Sequence, residues 1–170
     1  KEATRAAHPE VPIIDLGVGE GDSPADAAIT EALYREAGLR ENRRYADNGT
    51  AEFSAAASRY MARVYGVAGL EAETEVLHGI GSKPILALLP AAFINPGDVI
   101  LTTIPCYPVA ANWTRWLGGE VYGIPLRQEN GFLPDLDAVP SEILRKAKLL
   151  YLNYPNNPTG ACATKEFFAQ

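Results

Sequence analysis

The sequence predicts an α/β fold, with a mostly parallel sheet and helices on both faces. Three observations predict it. From residue 75 onward, short apolar runs of strand length alternate with longer segments of helical period. Glycine and proline turns separate these runs, and the spacing leaves room for a helix in each crossover, as parallel pairing needs. The 170 residues include 47% hydrophobic types, enough for one domain with a real core.

The elements follow in order. Residues 11–18 read as a short strand that runs into a glycine-rich loop. Ser23 and Pro24 then read as the N-cap and first position of a helix, with Asp26 in its first turn. Ile29, Leu33 and Ala37 share one face of that helix, and Gly38 ends it. Residues 40–49 read as a polar loop. Thr50 caps a second helix, in which Phe53, Ala56, Ala57, Tyr60 and Val64 keep the helical period up to Gly66. Glu75–His78 reads as a strand, Ser82–Ile94 as a helix, Asn95–Asp98 as a turn and Val99–Thr103 as a strand. A loop with Pro105 and Pro108 leads to a helix over Val109–Leu117 and a strand over Glu120–Ile124. Residues 134–148 hold one or two short helices, and Leu149–Asn153 reads as a buried strand. A further helix begins near Thr164. Since the chain stops at Gln170 inside it, the sequence reads as part of a longer protein.

Composition narrows the function classes. Charged residues are 21% of the chain and the formal net charge is −6, with no run of Lys or Arg. Nucleic-acid binding is therefore not expected, because neutralising phosphates takes clustered cations. No apolar stretch reaches the length of a membrane span, and Lys1 to Arg5 lacks the apolar core of a signal peptide. Cys106 and Cys162 form no Cys-x-x-Cys pair and read as free thiols in a reducing, cytoplasmic compartment. His8 and His78 have no partners at metal-ligand spacing, so no metal site is expected.

Four motifs carry candidate chemistry. The segment YLNYPNNPTG (151–160) follows an apolar strand with a stiff, polar turn, at the strand end where open α/β sheets place binding groups. By itself it serves equally well as a plain turn. The segment GIGSKP (79–84) links a strand to a helix. Its backbone N–H groups and the positive end of the helix dipole suit an anion, although a purely structural turn explains it at least as well. It has neither the length of a Walker loop nor the last glycine of G-x-G-x-x-G. A nucleotide-binding domain also needs an acid at the end of the next strand, and residues 101–104 read LTTI. In PCYP (105–108), Tyr107 stands between two prolines, as a stacking platform or a buried loop tyrosine. In RYADNG (44–49), Tyr45 and Asp47 stand beside a turn, and Gly19 lies in LGVGE (16–20).

In this order and spacing the motifs resemble the fold-type I, pyridoxal-phosphate-dependent aminotransferases. With INPGD (94–98) and LGGEVY (117–122), they resemble the L,L-diaminopimelate aminotransferase branch of that family. The resemblance implies that Asn157 hydrogen-bonds the phenolic oxygen of pyridoxal 5′-phosphate. It makes Gly81, Ser82 and Lys83 the phosphate cup and places Tyr107 over the cofactor ring. It has Tyr45 reach the phosphate in the partner copy of a homodimer, and Gly19 and Asp47 face the substrate. It implies amino-acid and 2-oxo-acid substrates. Residues 1–37 become a contribution to a small domain, and residues 38–170 the first part of the cofactor-binding large domain. One departure stands out: the loop after Tyr45 is short, and Asp47 takes the place of an expected glutamate. The family's Schiff-base lysine, pyridinium acid and carboxylate-binding arginine lie beyond the Asn-Pro-Thr-Gly turn. None of Lys1, Lys83, Lys146, Lys148 and Lys165 has that lysine's sequence context. The chain by itself is therefore expected not to transaminate, and to be poorly soluble with exposed sheet edges. Two rival readings keep the scaffold: a general aspartate or alanine aminotransferase, and a non-catalytic, aminotransferase-like regulatory domain.

Overall fold

The structure, a computed structural model, describes residues 1–14, 17, 19, 21, 23–46 and 49–169. They fall into two compact units, Lys1–Asn48 and Gly49–Gln170.

The first unit holds helix α1 (Glu2–Ala7), helix α2 (Ala27–Ala37) and a 3-10 turn over Glu41–Arg43. Helix α2 starts later than its sequence suggests. Asp26, not Ser23, is the N-cap, and its carboxylate accepts from the Ala28 N–H at 2.8 Å. Aspartate is as good a cap as serine, and here it stands directly before the first helical residue, Ala27. The described residues of 11–18 form no strand.

The second unit opens with α3 (Ala51–Tyr65), capped by the Thr50 hydroxyl on the Phe53 N–H at 3.2 Å and closed at Gly66. The segment 75–78, expected to be a strand, is not one. A strand needs a neighbour's ladder bonds, and no described residue pairs with this segment. Helix α4 (Ser82–Phe93), strand β1 (Val99–Ile104), helix α5 (Val109–Trp116) and strand β2 (Glu120–Pro125) follow. Then come a 3-10 turn at Gln128–Asn130, helix α6 (Ser141–Lys146), strand β3 (Ala147–Tyr151) and helix α7 (Lys165–Phe168), whose cap is Thr164. β3 begins and ends two residues before the expected Leu149–Asn153. The ladder to β1 stops at the Thr102–Tyr151 pair, so Leu152 and Asn153 already belong to the loop.

The strands pair in the order β2-β1-β3, all parallel. Val99, Ile100 and Leu101 in the central strand are all buried. Full burial of such side chains stabilises by about 1.5–3 kcal/mol each. Strand alternation splits them between two faces. Val99 and Leu101 pack with Ile124 of β2 and Val139, and Leu136 and Ile143 cover that cluster. α5 contacts β1 and β2 and packs against α4, burying Ala110, Ala111 and Thr114. The Thr114 hydroxyl is satisfied within its own helix by the Ala110 carbonyl at 2.9 Å.

Candidate active site

β1 and β3 run parallel, so their C-terminal ends release two loops on the same edge of the sheet. Those loops and the start of α4 enclose a cavity of about 340 Å³, with Ser82, Lys83, Tyr107, Tyr151, Asn153 and Asn157 in its wall. The carboxyl edge of a parallel sheet is the general ligand position of α/β folds. Four of the residues named from sequence, Ser82, Lys83, Tyr107 and Asn157, thus come together although they span residues 82 to 157.

The start of α4 is open. Gly81, its N-cap, has φ +79° and ψ 168°, a backbone region that only glycine occupies without strain. The Gly81 N–H turns back onto the Gly79 carbonyl at 2.9 Å. No side chain caps the helix. Ser82 and Lys83 occupy its first two positions, where N–H groups have no acceptor inside a helix, and Pro84 has no N–H at all. The cavity wall therefore contains two residues with unused backbone donors at the positive end of a helix dipole. Gly79 is also held by space, since a Cβ there would lie 2.6 Å from Ile85 Cγ1.

The loop after β3 is closed on itself. Asn153 Oδ1 accepts from the Asn157 N–H at 3.0 Å, and Asn153 Nδ2 donates to the Pro155 carbonyl at 3.3 Å. Asn156 is only 3% exposed. Its Oδ1 accepts from the Thr159 N–H at 3.1 Å and the Thr159 hydroxyl at 2.8 Å. Its own N–H donates to the Ala161 carbonyl at 2.8 Å, and its carbonyl accepts from the Gly160 N–H at 2.7 Å. Its Nδ2 reaches across to the Pro105 carbonyl at 3.5 Å, tying this loop to the one that carries Tyr107. Asn157 is held through its backbone, while its side-chain amide is exposed and has no hydrogen bond among the described residues. Peptide bonds before Pro105, Pro155 and Pro158 are cis.

The Tyr107 loop is anchored from below by the Thr102 hydroxyl, 3.4 Å from Cys106 Sγ. Tyr107 stands half-exposed between Pro105 and Pro108, the N-cap of α5. Tyr154 fastens the outer side: its hydroxyl donates to the Phe132 carbonyl at 2.7 Å and its ring meets Phe167 edge-on at 6.0 Å. Tyr151 differs. Its hydroxyl oxygen is buried and has no hydrogen-bond partner among the described residues. Burial pushes this phenol above its ordinary pKa, so it stays protonated at neutral pH.

The remaining sequence candidates lie elsewhere. Tyr45 and Gly19 are exposed residues of the first unit. Asp47 lies outside the described residues. Among the described residues, no group of His, Cys, Asp and Glu could hold a metal ion and no helix is long and apolar enough to cross a membrane. Sequence reasoning passed over Asn156 and Tyr151. Two adjacent asparagines look alike in a string, and only burial separates the clamp from its neighbour. Tyr151 could have been found by its strand end, beside Asn153 and Asn157 in sequence.

An open helix start, a half-exposed tyrosine and an asparagine turn thus share one cavity at the carboxyl edge of a parallel sheet, the position where α/β folds bind small molecules. The family model for aminotransferase class I and II matches residues 11–170, and the chain belongs to that family. The whole chain is 54% identical to an LL-diaminopimelate aminotransferase of Methanocaldococcus jannaschii and 49% identical to one of Methanococcus maripaludis, in each case spanning 41% of the relative's length. Among solved structures, apo BacF of Bacillus subtilis superposes with a TM-score of 0.91 at 37% identity, over 99% of this chain and 43% of that one. A probable N-succinyldiaminopimelate aminotransferase of Thermus thermophilus gives 0.86 at 36% identity, over 98% of this chain and 45% of that one. The fold is therefore that of the fold-type I aminotransferases.

Proposed function

We propose that the protein carrying this chain is a pyridoxal-phosphate-dependent aminotransferase. Its preferred reaction moves an amino group from L,L-diaminopimelate to 2-oxoglutarate, giving tetrahydrodipicolinate and L-glutamate in lysine biosynthesis. The observation that carries the cofactor is the cavity at the carboxyl edge of β1 and β3, which gathers Ser82, Lys83, Tyr107 and Asn157. Its unused donors fit the group: two N–H groups at the start of α4 and the free amide of Asn157. When bound, the cofactor supplies an electron sink for breaking bonds at the amino acid Cα. The chain's own residues hold and orient it. Ser82 and Lys83 bind the phosphate, the Tyr107 ring stacks on the flat face, and the Asn157 amide holds the phenolic oxygen. Tyr45 serves the partner copy in a homodimer, and Gly19 and Asp47 serve the substrate. On this reading the Schiff-base lysine is not among this chain's lysines, and the chain alone does not transaminate. The choice of diaminopimelate rests on the names and identity of the relatives.

The test is an amino-donor assay on a full-length protein carrying this chain, loaded with pyridoxal phosphate. L,L-diaminopimelate, aspartate and alanine are compared, each with 2-oxoglutarate. The highest kcat/KM is expected with diaminopimelate. A higher value with aspartate or alanine removes the branch assignment. Bound cofactor without turnover of any donor turns the reading to a regulatory domain.

A further inference from the structure

Asn157 stands in the cavity wall with a side-chain amide that bonds no described residue, so its backbone sets where that amide stands. Among the described residues, one hydrogen bond holds that backbone: the Asn157 N–H donates to Asn153 Oδ1 at 3.0 Å. The next residue, Pro158, has no N–H to give. Asn153 is itself held in one orientation. Its Nδ2 donates to the Pro155 carbonyl at 3.3 Å, so a flipped amide would set a donor against the Asn157 N–H and an oxygen against a carbonyl. Asn156 has a different task. It is buried, and it closes the turn onto Thr159, Gly160, Ala161 and Pro105 without a bond to Asn157. Asn153 is exposed, and removing its side chain frees Asn157 while the Asn156 bonds remain.

We infer that Asn153 is a positioning residue: its side-chain oxygen holds the Asn157 backbone so that the Asn157 amide is already in place for the phenolic oxygen of the bound cofactor. The inference rests on the pyridoxal phosphate reading above. A donor held in place before the ligand arrives lowers the ordering cost of binding. Asn153 also lies in the cavity wall, so direct contact with the ligand is the competing role. The two roles differ measurably. A positioning residue loses its effect once Asn157 has no amide to place, whereas a direct contact keeps its effect.

The test is a double-mutant cycle in the full-length protein, with Asn153→Ala and Asn157→Ala made singly and together. Three quantities are read: the Kd for pyridoxal 5′-phosphate, the absorbance maximum of the bound cofactor, and the Tm and inorganic phosphate affinity of the cofactor-free protein. Asn153→Ala alone should raise the Kd roughly three- to tenfold and shift the maximum in the same direction as Asn157→Ala. Added to Asn157→Ala, it should change the Kd by less than about twofold. The cofactor-free Tm and phosphate affinity should stay near wild type, because the Asn156 bonds and the start of α4 are untouched. An unchanged Kd in Asn153→Ala overturns the inference. An equal rise in both backgrounds also overturns it, because Asn153 is then a direct contact. So does a fall in cofactor-free Tm together with phosphate affinity, because the side chain is then structural. These three outcomes leave the cofactor reading intact. If Asn157→Ala leaves the Kd unchanged, the inference falls with the role given to Asn157. If the wild type binds no pyridoxal phosphate, the cofactor reading falls and the inference falls with it.

Discussion

Two loops wall the same cavity and are built in opposite ways. The Asn153–Gly160 loop is closed: each of its asparagines spends side-chain or backbone groups inside the loop, and Asn156 adds a bond to Pro105. The Gly79–Lys83 loop is open: a glycine in a glycine-only conformation starts a helix that no side chain caps, and two donors stay unspent. The difference teaches a division of labour. The closed loop fixes where one exposed amide stands, which lowers the ordering cost when a ligand binds. The open loop leaves its donors free, and an anion can satisfy them without breaking any protein bond.

Four changes break or sharpen this contrast, each made in a full-length protein carrying this chain. Asn156→Ala should have the largest effect. It unties the closed loop from both Thr159 and Pro105 and leaves their groups poorly satisfied, so about 2–3 kcal/mol of stability should be lost in denaturant titration. Cofactor affinity should fall with it. If only affinity falls, the closed loop is not a structural clamp. Gly81→Ala strikes the open loop through its backbone, at a cost of about 1–3 kcal/mol for a side chain in that region. Inorganic phosphate affinity of the cofactor-free protein should drop as well, and an unchanged value would sink the role given to this loop. Asn157→Ala separates binding from folding. Its side chain holds no protein group, so stability should stay within about 0.5 kcal/mol while the Kd for pyridoxal phosphate rises about tenfold. Equilibrium dialysis and thermal unfolding on the same samples decide it.

The smallest effect serves as a control away from the cavity. Asp98 closes the turn before β1: its carboxylate accepts from the Asn95 backbone N–H at 2.9 Å and from the Asn95 amide at 3.3 Å. The backbone bond foremost, then the side-chain amide and the Lys148 charge, hold its pKa below the ordinary aspartate value. A carboxyl with a lower pKa in the folded state stabilises fully above the unfolded value of about 3.9, and loses that stabilisation as pH falls through the folded value. Asp98→Asn should therefore be slightly less stable than wild type at pH 7, and the gap should close below about pH 4. A gap that stays constant in acid would show that charge plays no part in this turn.

How far the sequence could be read varies by element. The helix starts at Thr50 and Thr164, the stop at Gly66 and the strands at Val99 and Glu120 were legible, because capping and period are local. Asp26 against Ser23 was a contest between two good caps a few residues apart, which only the finished helix settles. The segment 75–78 has strand composition and no strand, since a ladder needs a partner that local sequence does not contain. β3 was shifted by two residues for the same reason: its end is set by the last bond to β1, not by its own apolar run.

The sequence by itself determined the alternation of strand and helix, the polar turns at the strand ends and the family that those turns resemble. All of these depend on residue type and short spacing. The tertiary structure decided which residues meet. Parallel pairing of β1 with β3 brings Tyr107 beside Asn157 across fifty residues of chain. It also separates Asn156, buried as a clamp, from Asn157, left exposed in the cavity wall, and it shuts the Tyr151 hydroxyl away from water. Burial and partner choice are properties of the assembled sheet, and neighbours distant in sequence impose them.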